Sequence, residues 1–207
     1  MLRCIHCHQE ITQHGNQFSC INNHSFDVSK QGTLHLVKAH THKERGDSKL
    51  QIEARNQFLK SYAYDAILNA VSTLLQDLSF LNLADCGCGE AYYTQALAQN
   101  FPTKQFYGFD LSKEALKLAK KQSNLQYVVA NIKDIPLMDH SVDLVLSMFA
   151  PLYLEEVKRI LKPSAYLMVV SPASHHLLEL KQALYEKVIL NEVKDRVDDD
   201  FIKLKSI

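Results

Sequence analysis

Two sets of residues in this 207-residue chain have the types and spacing for chemistry. Cys4-x2-Cys7 and Cys20-x3-His24 form two close pairs separated by a loop. Three thiolates and an imidazole so spaced can surround one point, which is the tetrahedral donor set of a structural zinc ion. Four protein ligands leave the metal no open position, so Zn2+ is expected to hold a small module together, and the module to unfold without it. His6, His8 and His14 compete on residue type, but His24 completes the symmetric pairing. Phe18 and Phe26 flank the second pair and supply apolar filling. The second set is acidic: Asp85-Cys86-Gly87-Cys88-Gly89-Glu90, followed by Asp110.

The acidic set needs a particular scaffold. Leu81 to Ala84 runs into Asp85, glycines follow, and Glu90 to Asn100 is helix-forming, which reads as strand, tight turn and helix. Gly87 and Gly89 let the backbone turn sharply and approach a ligand without a Cβ in the way. The emerging helix offers its unpaired N–H groups to that ligand. A second strand, Gln105 to Phe109, ends in Asp110, where an acid of a doubly wound fold accepts ribose hydroxyls. The ligand is therefore a nucleoside. A dinucleotide fits badly, because Tyr92 stands where its fingerprint requires glycine or alanine, and because Asp85 and Glu90 would repel a pyrophosphate. S-adenosylmethionine, which carries an ammonium and a sulfonium, suits the two acids better. The competing explanation is that Asp85 and Glu90 merely cap the turn and the helix.

The remaining pattern completes the scaffold. Leu50 to Leu75 has helical periodicity, with Tyr62 and Tyr64 midway, where they line the pocket or pack in a core. Ser112 is an N-cap for a helix over Lys113 to Gln122. Leu125 to Ala130 is a third strand, leading to Asn131-Ile132-Lys133-Asp134 at the level of an adenine ring. Ser141 to Ser147 is a fourth strand, running into Met148-Phe149-Ala150-Pro151; a helix over Leu154 to Leu161 and a strand over Ala165 to Ser171 follow. The expected class is α/β: a Rossmann-like class I methyltransferase sheet, parallel, with helices on both faces, preceded by the zinc module. The expected divisions are a zinc-binding module over 1–37, a basic linker and helix start over 38–60, and the S-adenosylmethionine domain over 61–207.

Composition agrees. Hydrophobic residues make up 46% and charged residues 22%, an ordinary globular profile. No apolar run reaches the roughly 18 residues of a membrane span. Met1-Leu2-Arg3-Cys4 lacks the apolar region of a signal peptide, and five cysteines with a metal-site spacing suit a reducing, cytoplasmic setting. The net charge is zero, so the whole chain does not attract a polyanion. Residues 1–60, however, carry eight Lys/Arg against five Asp/Glu, and seven of the ten histidines fall within the first 42. A phosphate backbone is expected at that end.

These motifs together resemble the bacterial 23S rRNA guanine-N1 methyltransferases, zinc-bearing members of the Rossmann-type S-adenosylmethionine enzymes. The likeness is carried by the Cys4/Cys7/Cys20/His24 spacing, Gly46-Asp47-Ser48, Glu53-Ala54-Arg55 with Phe58-Leu59, and Asp85 to Glu90 with Tyr92-Tyr93-Thr94. It continues through Gly108 to Lys113, Phe149-Ala150-Pro151, and Pro172 with His176-Leu177 and Glu179-Leu180-Lys181. The resemblance implies methylation of N1 of one guanine in an rRNA hairpin that the zinc module helps to bind. It also implies cofactor contacts from a tyrosine of the Tyr62/Tyr64 region, the Gly89-Glu90 turn, Asp110 and His176. Two features depart from the family pattern. Ser164-Ala165 replaces a Gly-Gly pair, and family members continue for about half a domain, adding the last two strands. A chain short of those strands is expected to show a bare sheet edge that can recruit a second copy. The alternatives are a shortened, catalytically impaired homologue that binds cofactor or RNA, and a zinc-module interaction protein. No residue stands out as acceptor of the guanine N1 proton; Asp134, Asp139 and His176 are weak candidates. Cys86 and Cys88 read as packing residues, because guanine N1 is itself nucleophilic.

Overall fold

Alternating apolar strands and amphipathic helices can bury both faces of a sheet only by layering, and the chain does so. A computed structural model describes residues 1–38, 48–59, 61 and 64–172, and the backbone of 202–206. Tyr62 and His176 lie outside the described residues. The first three strands, β1 (Ile11–His14), β2 (Gln17–Cys20) and β3 (Ser25–Asp27), form a small antiparallel sheet. Then come β4 (Thr33–His35), α1 (Lys49–Leu59), α2 (Asp65–Gln76), β5 (Asn82–Cys86), α3 (Tyr92–Asn100) and β6 (Gln105–Asp110). The order continues with α4 (Lys113–Leu116), β7 (Leu125–Val129), β8 (Val142–Met148), α5 (Leu154–Ile160), β9 (Leu161–Val170) and β10 (Ile202–Ser206).

The main sheet has the order β10-β9-β8-β5-β6-β7-β4. Its neighbours are parallel except β10, which is antiparallel to β9. Successive strands run outward from β5 through β6 to β7, then restart on the other side with β8. The order therefore reverses between β5 and β8, and open sheets bind ligands at the carboxyl end of such a switch point.

The two faces have separate cores. On one, Val71 and Leu75 of α2, Leu97 of α3 and Leu116 of α4 pack with Leu83, Phe106 and Leu144. On the other, Val157 and Ile160 of α5 pack with Ala84, Phe109 and Val145. The same second core holds Leu2, Ile11, Phe18 and Phe26, so the small sheet rests directly on the large one. It covers the face that the β7–β8 connection, which has no helix, leaves open. Arg3 N donates to Pro136 O at 2.9 Å and Met138 N to Met1 O at 2.9 Å, and Leu2 bridges Leu137. Thr33–His35, which falls inside the 1–37 span expected to be the zinc module, pairs with β7 at the edge of the main sheet.

Three expectations are corrected. The helix expected over Leu50–Leu75 is two helices, α1 and α2; Asp65, opening the second, accepts a hydrogen bond from Tyr92 Oη at 2.7 Å. The helix expected over Lys113–Gln122 stops at Leu116, although Ser112 caps it by accepting from Ala115 N at 3.1 Å. The carbonyl of Lys120 is taken by Tyr127 Oη at 3.1 Å instead of by a helical N–H. The β9 edge, expected to be bare, carries β10 over Ile202–Ser206.

Candidate active site

A cavity of about 660 Å³ opens at the carboxyl ends of β5, β6 and β8. Its floor is the glycine turn. Gly87 and Gly89 have φ of +88° and +56°, and a Cβ on Gly87 would lie 2.5 Å from Ala150 Cβ. Gly87 N and Cys88 N donate to Phe109 O at 2.8 and 3.0 Å, tying the turn to the end of β6. Gly108 lies beneath it, where a Cβ would stand 3.0 Å from Cys88 Sγ and crowd that side chain.

Asp110 lines the cavity and braces the turn: its two oxygens accept from Gly89 N at 2.8 Å and Ser112 N at 2.7 Å. Gly87, Gly89, Glu90, Asn131 and Tyr64 also line it. Asp85 shares the sheet face of Asp110, since it pairs with Gly108, two residues before Asp110. It is nonetheless absent from the cavity wall, contrary to the direct cofactor contact expected of it. Only 2% exposed, it accepts from Thr94 Oγ1 at 2.5 Å, while its other oxygen is buried with no partner among the described residues. Burial, with a smaller push from the Asp110 charge, raises its carboxyl to about 7.

Glu90 is at the wall but is paired within the protein. Arg55 Nε lies 2.9 and 3.2 Å from its two oxygens, and Arg55 Nη2 2.9 Å from Oε2. The ammonium expected to face Glu90 alone thus meets an ion pair. Arg55 is a cavity-lining residue that the sequence alone does not single out for the site. Its only signal was its place in the Glu53-Ala54-Arg55 motif, and nothing local links it to an acid 35 residues away. Tyr93 also lines the cavity, and its Oη is buried without a partner among the described residues. An orphaned hydroxyl and a zwitterionic pair around a nucleoside-sized space fit a polar, charged ligand such as S-adenosylmethionine.

The metal-type residues converge as well. The ligand atoms of Cys4, Cys7, Cys20 and His24 all lie within 4.8 Å of one another. Cys7 Sγ and Cys20 Sγ are 3.6 Å apart, and His24 Nδ1 is 3.5 Å from Cys4 Sγ and 3.4 Å from Cys20 Sγ. Zinc–sulfur and zinc–nitrogen bonds of ~2.3 and ~2.1 Å set tetrahedral edges of roughly 3.5–3.8 Å, so the set fits the ion. The Gln9 backbone N–H lowers the Cys7 thiol to about 6, toward the thiolate that binds metal.

The weak proton-acceptor candidates within the described residues are engaged elsewhere. Asp134 pairs with Arg3 at 2.7 Å and Lys38 at 2.9 Å, which hold its carboxyl low despite partial burial. Asp139 pairs with Arg159 at 2.7 Å, and that contact keeps it low. Burial pushes the Cys86 and Cys88 thiols far up, which suits packing and not nucleophilic attack.

Residues 2–45 match the family model described as "RlmA, N-terminal", a zinc ribbon, and residues 84–169 match a methyltransferase domain. The Streptomyces fradiae 23S rRNA (guanine(748)-N(1))-methyltransferase is 30% identical over 88% of this chain and 67% of its own length. A Bacillus subtilis relative, described as a candidate 23S rRNA guanine-N1-methyltransferase, is 31% identical over 89% of this chain and 69% of its own. The chain belongs to the 23S rRNA (guanine-N1)-methyltransferase family. Solved structures agree at the level of fold. An Aquifex aeolicus S-adenosylmethionine-dependent methyltransferase superposes with a TM-score of 0.52 at 22% identity, over 62% of this chain and 75% of that one. A Methanococcus maripaludis chain gives 0.54 at 19%, over 68% and 74%. Both S-adenosylmethionine and zinc are cofactors of this family's architecture, and each finds a matching constellation here. Among the described residues no helix is long and apolar enough to cross a membrane.

Proposed function

We propose that this family member methylates N1 of a guanine in a 23S rRNA hairpin, in the cytoplasm, using S-adenosylmethionine. The observation that carries the reading is the acid-braced glycine turn under the switch-point cavity, in a chain with the family's zinc ribbon. When bound, the cofactor supplies a methyl group already activated by its sulfonium. The protein's task is alignment. Asp110 accepts from the ribose hydroxyls and Asn131 borders the adenine. The Arg55–Glu90 pair answers the zwitterionic end of the cofactor, guanidinium to carboxylate and carboxylate to ammonium. Gly87 and Gly89 admit the ligand to the backbone, and Tyr64 closes a wall. Tyr62 and His176 join this set on the family resemblance. Asp85 acts from beneath, holding Thr94 of α3 behind the turn.

Zinc held by Cys4, Cys7, Cys20 and His24 is structural, since four protein donors leave no site for substrate. The 1–37 module and the basic 38–60 segment bind the rRNA backbone, and 61–207 carries the methyl transfer. Guanine N1 is engaged in any Watson–Crick pair, so the target base is unpaired or extruded when it enters the cavity. The test is methyl transfer to unmodified 23S rRNA followed by mass spectrometry of its nucleosides. 1-Methylguanosine is the expected product; a different methylated nucleoside, or none, refutes the proposal.

A further inference from the structure

We infer that Phe149 is the platform on which the extruded guanine stacks; the inference rests on the function proposed above and names the surface that receives its substrate. Phe149 lies at the end of β8 and lines the cavity. It remains 41% exposed, whereas Met148 before it is 7% exposed. Its φ is +53°, a left-handed conformation that bulky L-residues avoid. A side chain wanted for core packing needs neither the exposure nor the strain. Strained residues persist where the surroundings impose them, and they cluster at sites of function.

Here the surroundings are explicit. Phe149 N donates to Val170 O at 2.8 Å, which fixes the backbone at the end of the sheet. The next residue, Ala150, has its Cβ only 2.5 Å from where a Cβ on Gly87 would stand, so the tip is pressed against the cofactor turn. The ring is steadied from one direction by Tyr64, 6.0 Å away at 85°. Tyr64 in turn meets Phe58, which is 55% exposed, at 5.6 Å and 74°. A T-shaped contact occupies at most one face of the Phe149 ring. A planar base is the occupant that fits a flat, rigidly held, half-exposed ring beside a methyl donor, because stacking needs no hydrogen-bond partner on the platform.

Flatness is the property to test. Wild type, F149L and F149Y are compared with unmodified 23S rRNA as acceptor, with S-adenosylmethionine affinity measured by calorimetry and folding by thermal melting. Base stacking on an aromatic is worth a factor of roughly 5 to 150, so F149L is expected to lower kcat/KM for RNA within that range. F149Y, which keeps the plane, is expected to stay within about threefold of wild type. Cofactor affinity and melting are expected to change little in either variant. F58L serves as the neighbour control, with a smaller loss than F149L expected. Equal activity of F149L and F149Y, whether both high or both low, overturns the inference. So does a loss of cofactor affinity that matches the loss of methylation, which would assign the ring to the cofactor. A wild-type chain that yields no 1-methylguanosine overturns the function itself, and the platform with it; an active wild type with F149L undiminished overturns the platform alone.

Discussion

Asp85→Asn isolates the electrostatics of the buried acid beneath the glycine turn. Burial raises the carboxyl from 3.8 to about 7, so the folded chain holds a proton that the unfolded chain has released. The sign follows from that direction. Below the unfolded value both states are protonated and the group costs nothing; as pH rises toward 7 stability falls, and above 7 the full cost remains. Three units at ~1.4 kcal/mol each make that cost about 4 kcal/mol. Asparagine keeps an oxygen to accept from Thr94 Oγ1 and has no charge at any pH. Its amide meets the place where one Asp85 oxygen lacks a partner, which offsets part of the gain by about 1–3 kcal/mol independently of pH. The pH dependence of the difference is therefore the clean quantity. Between about pH 6 and 8.5, where the zinc thiolates stay ligated, a group with a folded value of about 7 loses roughly 1.4 kcal/mol. Urea unfolding of zinc-loaded, cofactor-free protein is expected to show D85N gaining that amount on wild type across the window. A difference that is flat with pH, or that shrinks as pH rises, would refute a buried Asp85 whose carboxyl is raised to about 7.

Other perturbations test other parts of the fold. Arg55→Ala strands Glu90, which is 5% exposed, without its paired donors; cofactor affinity is expected to fall at least tenfold by calorimetry, and destabilisation to be about 1–3 kcal/mol because Arg55 is partly solvated. Adding Glu90→Gln is expected to restore stability but not affinity; restoration of both would remove the pair from the site. Cys20→Ser is expected to release the metal in a chelator-dye assay and to lower the whole chain's melting in one transition, since the ribbon shares a core with the sheet. Two separate transitions would show the units to be independent. Ser164 has φ of +60°, the conformation natural to the glycine that family members carry there. Ser164→Gly is expected to stabilise by about 1 kcal/mol in urea titration, and a loss of stability would point to an unseen role for the hydroxyl.

What the sequence discloses depends on how local the controlling interactions are. The ligand quartet is written in spacings of a few residues, and strand, turn and helix around Asp85 in one continuous stretch. Asp110 is legible because β6 must lie beside β5, so the end of one strand falls next to the turn of the other. The Asp65–Tyr92 contact at the start of α2 and the Arg55–Glu90 pair are not legible, because the partners lie 27 and 35 residues apart. The unwinding after Leu116 is hidden for another reason, since the Lys120 carbonyl goes to a side chain, Tyr127 Oη, that helical periodicity does not register. Asp85 shows the limit most sharply. Its residue type and position suit a ligand contact, yet Thr94, the third residue of α3, takes it inward. The ribbon shows the converse. Its metal site is encoded locally and so reads as an independent unit, while its apolar residues are claimed by the larger sheet. Leu2, Ile11, Phe18 and Phe26 could not fill a core of their own in so short a segment, and below about 40 residues a metal or a larger partner has to supply the rest. This ribbon has both. By lying on the face left open between β7 and β8, it also brings Arg3 to Asp134, beside the loop whose Asn131 borders the cavity. Metal site and cofactor site are thus joined through one packed core, an arrangement that the separation of their motifs along the chain conceals.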